Sequence, residues 1–148
     1  MPKLLRNALA IIAGVAIGGA VNMILITLSP SLIPPPAGVD VSSAESLNNA
    51  MHLFEPRHFI MPFLAHALGT LAGALAAYLI AASHNAKMAY VIGLVFLCGG
   101  VATSFMIPAP AWFIAVDLFA AYLPMAWLGI QMGSRIMQEK NGMQSTST

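Results

Sequence analysis

Hydrophobic positions along this chain fall into four long runs that are separated by short polar stretches. Each run is continuously apolar and rich in Leu and Ala, without the alternation of a membrane-spanning strand. A helix needs roughly 20 apolar residues to cross ~30 Å of hydrocarbon, and every run meets that length. The pattern therefore predicts four transmembrane helices, with bounds of about 8–28, 59–82, 88–107 and 111–132.

Two of the three connections, residues 83–87 and 108–110, are too short to do more than join antiparallel neighbours. The fold class predicted is accordingly an all-α membrane protein, an antiparallel four-helix bundle. Pro124 lies inside the fourth run and is expected to kink that helix. Residues 1–137 form the single predicted domain, and the polar tail 138–148, which ends in QSTST, is expected to be disordered.

The remaining connection, residues 29–58, is long enough to have structure of its own. It begins at Ser29, and its prolines predict an extended, polyproline-like path. After Asp40, Ser42 and Glu45 have the S-x-x-E spacing of a capping box. Apolar residues then recur at helical intervals, which predicts a short amphipathic helix that covers the mouth of the bundle. These residues are Leu47, Ala50, Met51 and Phe54.

Composition agrees with a membrane location, since 59% of the residues are hydrophobic and 7% are charged, against roughly 25% charged residues in soluble domains. A net charge of +1 from scattered basic residues supplies no phosphate-binding stripe, so no nucleic-acid partner is expected. The single cysteine, Cys98, excludes an internal disulfide, a paired-cysteine redox site and a cysteine-based zinc cage.

The basic residues predict how the spans are oriented. Five of the six Lys and Arg residues fall in segments on one side of the predicted membrane, whereas Arg57 lies opposite beside three acidic residues. By the positive-inside rule both termini are expected in the cytoplasm, and the first run is expected to be a retained anchor. The five cytoplasmic basic residues are Lys3, Arg6, Lys87, Arg135 and Lys140.

Small residues recur every four positions in three of the runs, which lets helix backbones approach closely. Two interpretations stay open: packing inside one bundle, or contact with a second copy or another membrane subunit. A homo-oligomer or a membrane partner subunit is expected, since a conducting path between four helices of this size would require more copies. The small residues are Ala10, Gly14 and Gly18, then Gly69, Gly73, Ala77 and Ala81, then Gly129 and Gly133.

Polar residues inside the spans form the candidate site. Counting about 1.5 Å per residue from the outer ends, Asn22, His66 and Asp117 lie about 9–10 Å deep, and Thr103 about 6 Å deep. Asp117 is the one charge predicted within the membrane, and exposing it to lipid would cost roughly 2.5–3.5 kcal/mol. It should therefore have a partner, and His66 is the obvious one.

Three interpretations of this layer stay open. In the first, the pair only fixes helix packing through a hydrogen bond; in the second, it handles a proton or a solute; in the third, it binds a metal. A zinc ion would be held by His66 and Asp117 together with His58 and Glu55 from the loop, because imidazole and carboxylate are normal zinc ligands. Apart from that zinc alternative, no cofactor is predicted.

Three stretches are similar to a family of small bacterial four-span membrane proteins to which no activity is assigned: IPPPAGVD (33–40), HLFEPRHFIMPFLAHALGTLAGA (52–74) and DLFAAYLPMAWLG (117–129). The resemblance implies a four-helix fold in a bacterial membrane, and the inner membrane is the expected location. It implies no substrate, cofactor or reaction.

The leading functional hypothesis is that the polar layer near the outer leaflet binds or transports a small solute, an ion or a proton. One alternative is a membrane-embedded enzyme that acts on a lipid or a quinone, with His66 as base and Asp117 as its orienting partner. The other is a non-catalytic assembly or accessory subunit. No nucleophile-elbow or phosphate-loop motif occurs in the sequence, which favours binding or transport over catalysis.

Overall fold

In a computed structural model, residues 1–107 and 109–145 are described, and within these ranges the chain is helical with no strand. Two turns of 3₁₀ helix, Met51–Leu53 and Pro56–Phe59, lie in the segment between the first two long helices. The α-helices are α1 (Lys3–Leu32), α2 (Ala44–Ala50), α3 (Ile60–Ile80), α4 (Asn85–Met106), α5 (Ala111–Ala120) and α6 (Leu123–Ser145).

Four helical stretches are long and apolar enough to cross a membrane, which confirms the predicted number of spans. The first and third are α1 and α4. The second is α3 with the 3₁₀ turn that precedes it, and the fourth runs through α5 and α6 from Ala111 to Met143. The first and fourth stretches are longer than the predicted runs because the helical backbone continues into the polar flanks, whereas the second and third begin three residues earlier and end one or two residues earlier than predicted.

The fourth stretch is interrupted at Ala121 and Tyr122, between α5 and α6. Pro124 is the cause, because it has no backbone N–H to donate to the carbonyl of Ala120 and its ring crowds that carbonyl. Regular bonding stops with Ala121, whose N–H donates to the Asp117 carbonyl at 2.9 Å, and resumes when Ala126 donates to Tyr122 at 2.9 Å. The disturbance expected at Pro124 is thus a break between two helices.

The extended path predicted from Ser29 is wrong for its first four residues. Helix α1 includes Pro30 and continues to Leu32, and the N–H of Ile33 donates to the Ser29 carbonyl at 2.8 Å. A proline so close to the end of a helix removes only its own bond to the preceding turn, so the helix can finish around it. The chain leaves the helix at Ile33, where the backbone is extended.

The segment from residue 33 to residue 59, called the connecting segment below, contains the predicted short helix. Helix α2 begins one residue later than the spacing of Ser42 and Glu45 suggested: Ser43 is its N-cap and accepts a hydrogen bond from the N–H of Ser46 at 3.3 Å. Ser42 instead donates its N–H and its hydroxyl to Asp40, at 2.9 and 2.6 Å. The aspartate turn therefore uses the serine that was predicted as the cap.

At the other end of the chain, α6 continues to Ser145, where a disordered tail was expected from Gln138. The helix continues because residues 138–140 are Gln, Glu and Lys, which are good helix formers even without an apolar face. Residues 146–148 of that predicted tail, and Pro108 of the predicted turn at 108–110, lie outside the described residues.

The two helices α1 and α3 cross at their glycines. A Cβ atom added to Gly14 would lie 2.8 Å from the Gly73 carbonyl oxygen, and one added to Gly18 would lie 2.6 Å from that of Gly69. Only glycine permits backbones to come this close. Gly129 of α6 likewise lies against the backbone of α3.

The buried core next to this crossing is made of small side chains from three helices, with one large residue, Ile92, among them. The predicted small-residue stripes thus pack inside this one chain. Contact with a second copy or another subunit stays a prediction. The core residues are Ala74, Ala77, Ala89, Ile92 and Ala126.

Polar bonds tie the start of α1 to the turn between α3 and α4. Arg6 donates from Nε to the Ile80 carbonyl at 2.7 Å, and Asn7 Oδ1 accepts the N–H of Ala82 at 2.9 Å. Asn85, which begins α4, contacts the sulfur of Met137 in α6. These contacts bring the segments that carry five of the six basic residues to one end of the bundle, called the basic end below. The connecting segment lies at the opposite end.

Candidate functional site

His66 of α3 and Asp117 of α5 are in direct contact, as the sequence predicted. Nδ1 of His66 lies 2.9 Å from Oδ1 and 3.0 Å from Oδ2 of the carboxylate. Asp117 is buried, whereas the His66 side chain is 21% exposed. Because an ionised carboxylate can only accept hydrogen bonds, the shared proton is assigned to Nδ1. With the proton on Nδ1, an imidazole in its neutral form has its lone pair on Nε2.

Tyr122 is a third member of the site that the sequence analysis missed. Its hydroxyl donates to Oδ2 of Asp117 at 2.9 Å, and its ring stacks on that of His66 with centroids 5.9 Å apart. Space for the hydroxyl exists only because residue 100 is glycine, since a Cβ atom there would overlap it. Asp117 therefore accepts hydrogen bonds from two side chains.

The break between α5 and α6 explains how Tyr122 reaches Asp117. In an uninterrupted helix two residues five positions apart point about 140° away from each other. The interruption at Ala121 and Tyr122 releases Tyr122 from that geometry. The usable signal in the sequence was a tyrosine that lies two residues before Pro124 and shortly after Asp117, the only acid in the predicted spans. A proline disturbs the helix that precedes it.

A cavity of about 310 Å³ opens above the pair, and His66 and Asp117 both line it. All four membrane-spanning stretches and the connecting segment contribute to its wall, which is largely apolar. Small-molecule sites usually measure about 300–1,000 Å³ and are mostly apolar with a few polar groups, so the cavity has the character of such a site. Its apolar lining from the long helices includes Ile26, Pro30, Pro62, Phe113, Ile114 and Leu118.

The connecting segment covers this cavity with three of the four apolar residues that the sequence predicted for this face. Leu47 of α2, then Met51 and Phe54, line the cavity from that side, whereas Ala50 does not line it. Phe59 packs the end of the segment against α5: its ring centroid lies 4.8 Å from that of Phe113 and 5.6 Å from that of Trp112. Aromatic contacts thus join the connecting segment to the helix that carries Asp117.

Thr103 and Asn22, the two other residues of the predicted layer, do not bond to the His66–Asp117 pair. Thr103 lines the cavity, but its hydroxyl donates to the Gly99 carbonyl of its own helix at 2.9 Å. Asn22 lies in the crossing of α1 and α3, where its Cβ faces Gly69. Within the described ranges, no hydrogen bond joins either residue to His66 or Asp117.

The four residues considered for zinc do not come together as a group. His58 is buried, and its Nδ1 accepts the backbone N–H of Glu55 at 2.8 Å. The Glu55 carboxylate pairs with Arg57 at 3.0 Å, and both side chains are exposed. Over residues 1–107 and 109–145, no three His, Cys, Asp or Glu side chains are arranged to hold a metal ion.

Comparison of the chain with family models, with curated proteins and with solved structures found no match. The resemblance of residues 33–40, 52–74 and 117–129 to bacterial four-span proteins therefore stays an expectation.

Proposed function

We propose that this protein binds an amphiphilic molecule of the membrane, a lipid or a quinone in character, in the cavity beneath the connecting segment. The observation that carries the proposal is a His66–Asp117 pair at one end of a largely apolar cavity. The apolar wall favours such a ligand over an inorganic ion or a polar solute, because a hydrated ligand would lose its water there without replacement.

His66 is the residue that would meet the polar group of the ligand. Its Nδ1 is held by Asp117, and Asp117 is held in turn by Tyr122, so the ring has one orientation. Nε2 is then free to accept a hydrogen bond or a proton. The same arrangement, a base oriented by a carboxylate, could serve general-base chemistry on a bound lipid or quinone, which is the second candidate function.

A photolabelling experiment tests the proposal. The purified protein in detergent is irradiated with a long-chain alkyl probe that carries a diazirine, and labelled peptides are identified by mass spectrometry. Labelling is expected on the connecting segment and α5. Ile114→Trp fills the cavity and should remove that labelling. Val116→Trp is the matched control, because Val116 is 49% exposed on the same helix and does not line the cavity. Labelling spread over lipid-facing residues and unchanged by Ile114→Trp would refute the proposal.

We propose further that the protein lies in a bacterial inner membrane with both termini in the cytoplasm. The gathering of five basic residues at the basic end supports this orientation, since positively charged segments stay in the cytoplasm. The connecting segment and the cavity would then face the outer leaflet. Fusion of a reporter active only in the periplasm to the C-terminus should give no signal, whereas insertion of that reporter at Gly38 should give a strong one; the reverse result would overturn the orientation.

A further inference from the structure

We infer that the polar group accepted by this cavity is a neutral hydrogen-bond donor, namely a hydroxyl on an apolar body such as an alkylphenol or a long-chain alcohol. The inference rests on the proposed function and narrows its ligand, because an oxidised quinone has only acceptor oxygens and would find no donor at this end of the cavity. It depends on which polar atoms near His66 can still donate or accept a hydrogen bond.

The hydroxyls that α4 contributes to the cavity have already used their protons. Thr103 donates to the Gly99 carbonyl at 2.9 Å, and Ser104 donates to the Val101 carbonyl at 2.7 Å. A hydroxyl that donates within its helix keeps its oxygen lone pairs. Toward a ligand, both residues therefore act as acceptors.

The site on α3 and α5 has the same character. With its proton assigned to Nδ1, His66 donates to Asp117, and Tyr122 donates its hydroxyl proton to the same carboxylate. What His66 can offer to a ligand is the lone pair on Nε2. These four donors, two on α4, one on His66 and one on Tyr122, all have acceptors inside the protein.

These acceptors are close together in the fold. Gly100 of α4 lies against the Tyr122 hydroxyl, and the Tyr122 ring stacks on His66. Thr103 and Ser104 follow Gly100 by three and four residues, so they lie on the same face of α4, one helical turn further along. A ligand hydroxyl next to His66 would therefore meet acceptors from two sides.

The remaining polar side chains of the cavity lie toward its cover. His58 precedes His66 by eight residues, which separates the two by roughly 12 Å along the helix direction, and Ser29 belongs to the last turn of α1. Neither is adjacent to the pair. A donor group suits the His66 end, and the apolar wall selects a neutral donor, since an ammonium group would lose its hydration there.

Competition against the diazirine probe tests this inference with ligands that differ in one group. We expect para-octylphenol to suppress cavity labelling at concentrations about tenfold below those needed for its methyl ether, para-octylanisole, which has the same body without the donor. Decanol and octylammonium complete the set. Decanol separates phenols from alcohols in general, and octylammonium offers a charged donor.

His66→Asn is the informative variant. The asparagine amide can still donate to Asp117, but it has no atom in place of Nε2, so the preference for octylphenol over octylanisole should disappear. Thr103→Val removes a hydroxyl at constant shape and should reduce the preference, which provides a second variant if His66→Asn does not fold. His84→Asn and Ser134→Ala are matched controls outside the cavity, and both should retain it; Ser134 also donates within its helix.

Each outcome is decisive. If octylanisole or octylammonium competes as well as octylphenol, while labelling still disappears in Ile114→Trp, the inference is wrong and the proposed function stands. If the preference for octylphenol survives in both His66→Asn and Thr103→Val, His66 and Thr103 do not accept its hydrogen bond, and the inference is also wrong. If no competitor acts and Ile114→Trp changes nothing, the proposed function fails as well.

Discussion

The two halves of this bundle are built on opposite principles. Toward the basic end, small residues let α1 and α3 touch backbone to backbone, as where Gly14 meets Gly73, and the core is almost all alanine. Toward the connecting segment, the same helices surround a cavity of about 310 Å³, which is covered by Leu47, Met51 and Phe54. Close packing holds the helices together at one end of the bundle. The helices can therefore leave a cavity with polar side chains at its base toward the other end.

The largest expected effect comes from breaking the glycine crossing. Gly14→Leu would push a side chain into the Gly73 carbonyl and Ile92, 2.8 and 2.9 Å from the new Cβ. Overpacking against backbone should lower the free energy of unfolding by about 3 kcal/mol, measured by thermal or denaturant unfolding in detergent. Gly19→Leu is the control, because no atom outside its own helix backbone and chain neighbours lies within 4 Å of a Cβ there. Equal stability of the two variants would contradict the crossing.

A smaller loss of stability is expected when the hydrogen bonds to Asp117 at the cavity end are removed. Asp117→Ala leaves the His66 and Tyr122 donors without their acceptor and should cost about 2 kcal/mol, whereas Tyr122→Phe removes one hydroxyl and should cost about 1 kcal/mol. Ser134→Ala, which removes a hydroxyl bonded within its own helix, should change little. Should Tyr122→Phe prove as harmless as Ser134→Ala, the Tyr122–Asp117 bond contributes nothing to stability.

The smallest expected effect is a pH-dependent change in the stability of the connecting segment. Hydrogen bonds from Ser42 lower the pKa of the Asp40 carboxyl below its ordinary value of 3.8. A lowered pKa in the folded state means that the turn is stabilised above that ordinary value and loses the contribution as the pH falls through the lowered pKa. Limited proteolysis with an acid-active protease should therefore cut the segment faster below about pH 4. Asp40→Asn should flatten this pH dependence without changing the stability of the four long helices.

The comparison of the two halves also separates what could be read from the sequence from what could not. The glycine stripes were evident because helical spacing alone puts Gly14 and Gly18 on one face. The contact of His66 with Asp117 was predictable because a buried carboxylate needs a partner and only one other ionisable group lies at its depth. Both inferences need only local geometry and the cost of burying a polar group.

Other features depend on contacts between segments that are distant in sequence, and local patterns could not predict them. Tyr122 joins Asp117 because the chain breaks before Pro124, and its hydroxyl fits because α4 has a glycine opposite. Asn22 and Thr103 share a depth with the pair, yet depth does not specify which way a side chain faces, and they bond or pack elsewhere. The cavity itself depends on how far the helices separate above the glycine crossing.

By itself, the sequence determined the number and approximate position of the membrane-spanning helices and the apolar face of the short helix, and it indicated His66 as the partner of Asp117. Hydrophobic runs, helical periodicity and the cost of an unpaired charge in lipid suffice for these. Tertiary structure alone decided that the small residues serve packing within this chain, that Tyr122 completes the site and that a largely apolar cavity opens over His66. Those properties arise from distances between helices that are remote in sequence, which no local pattern specifies.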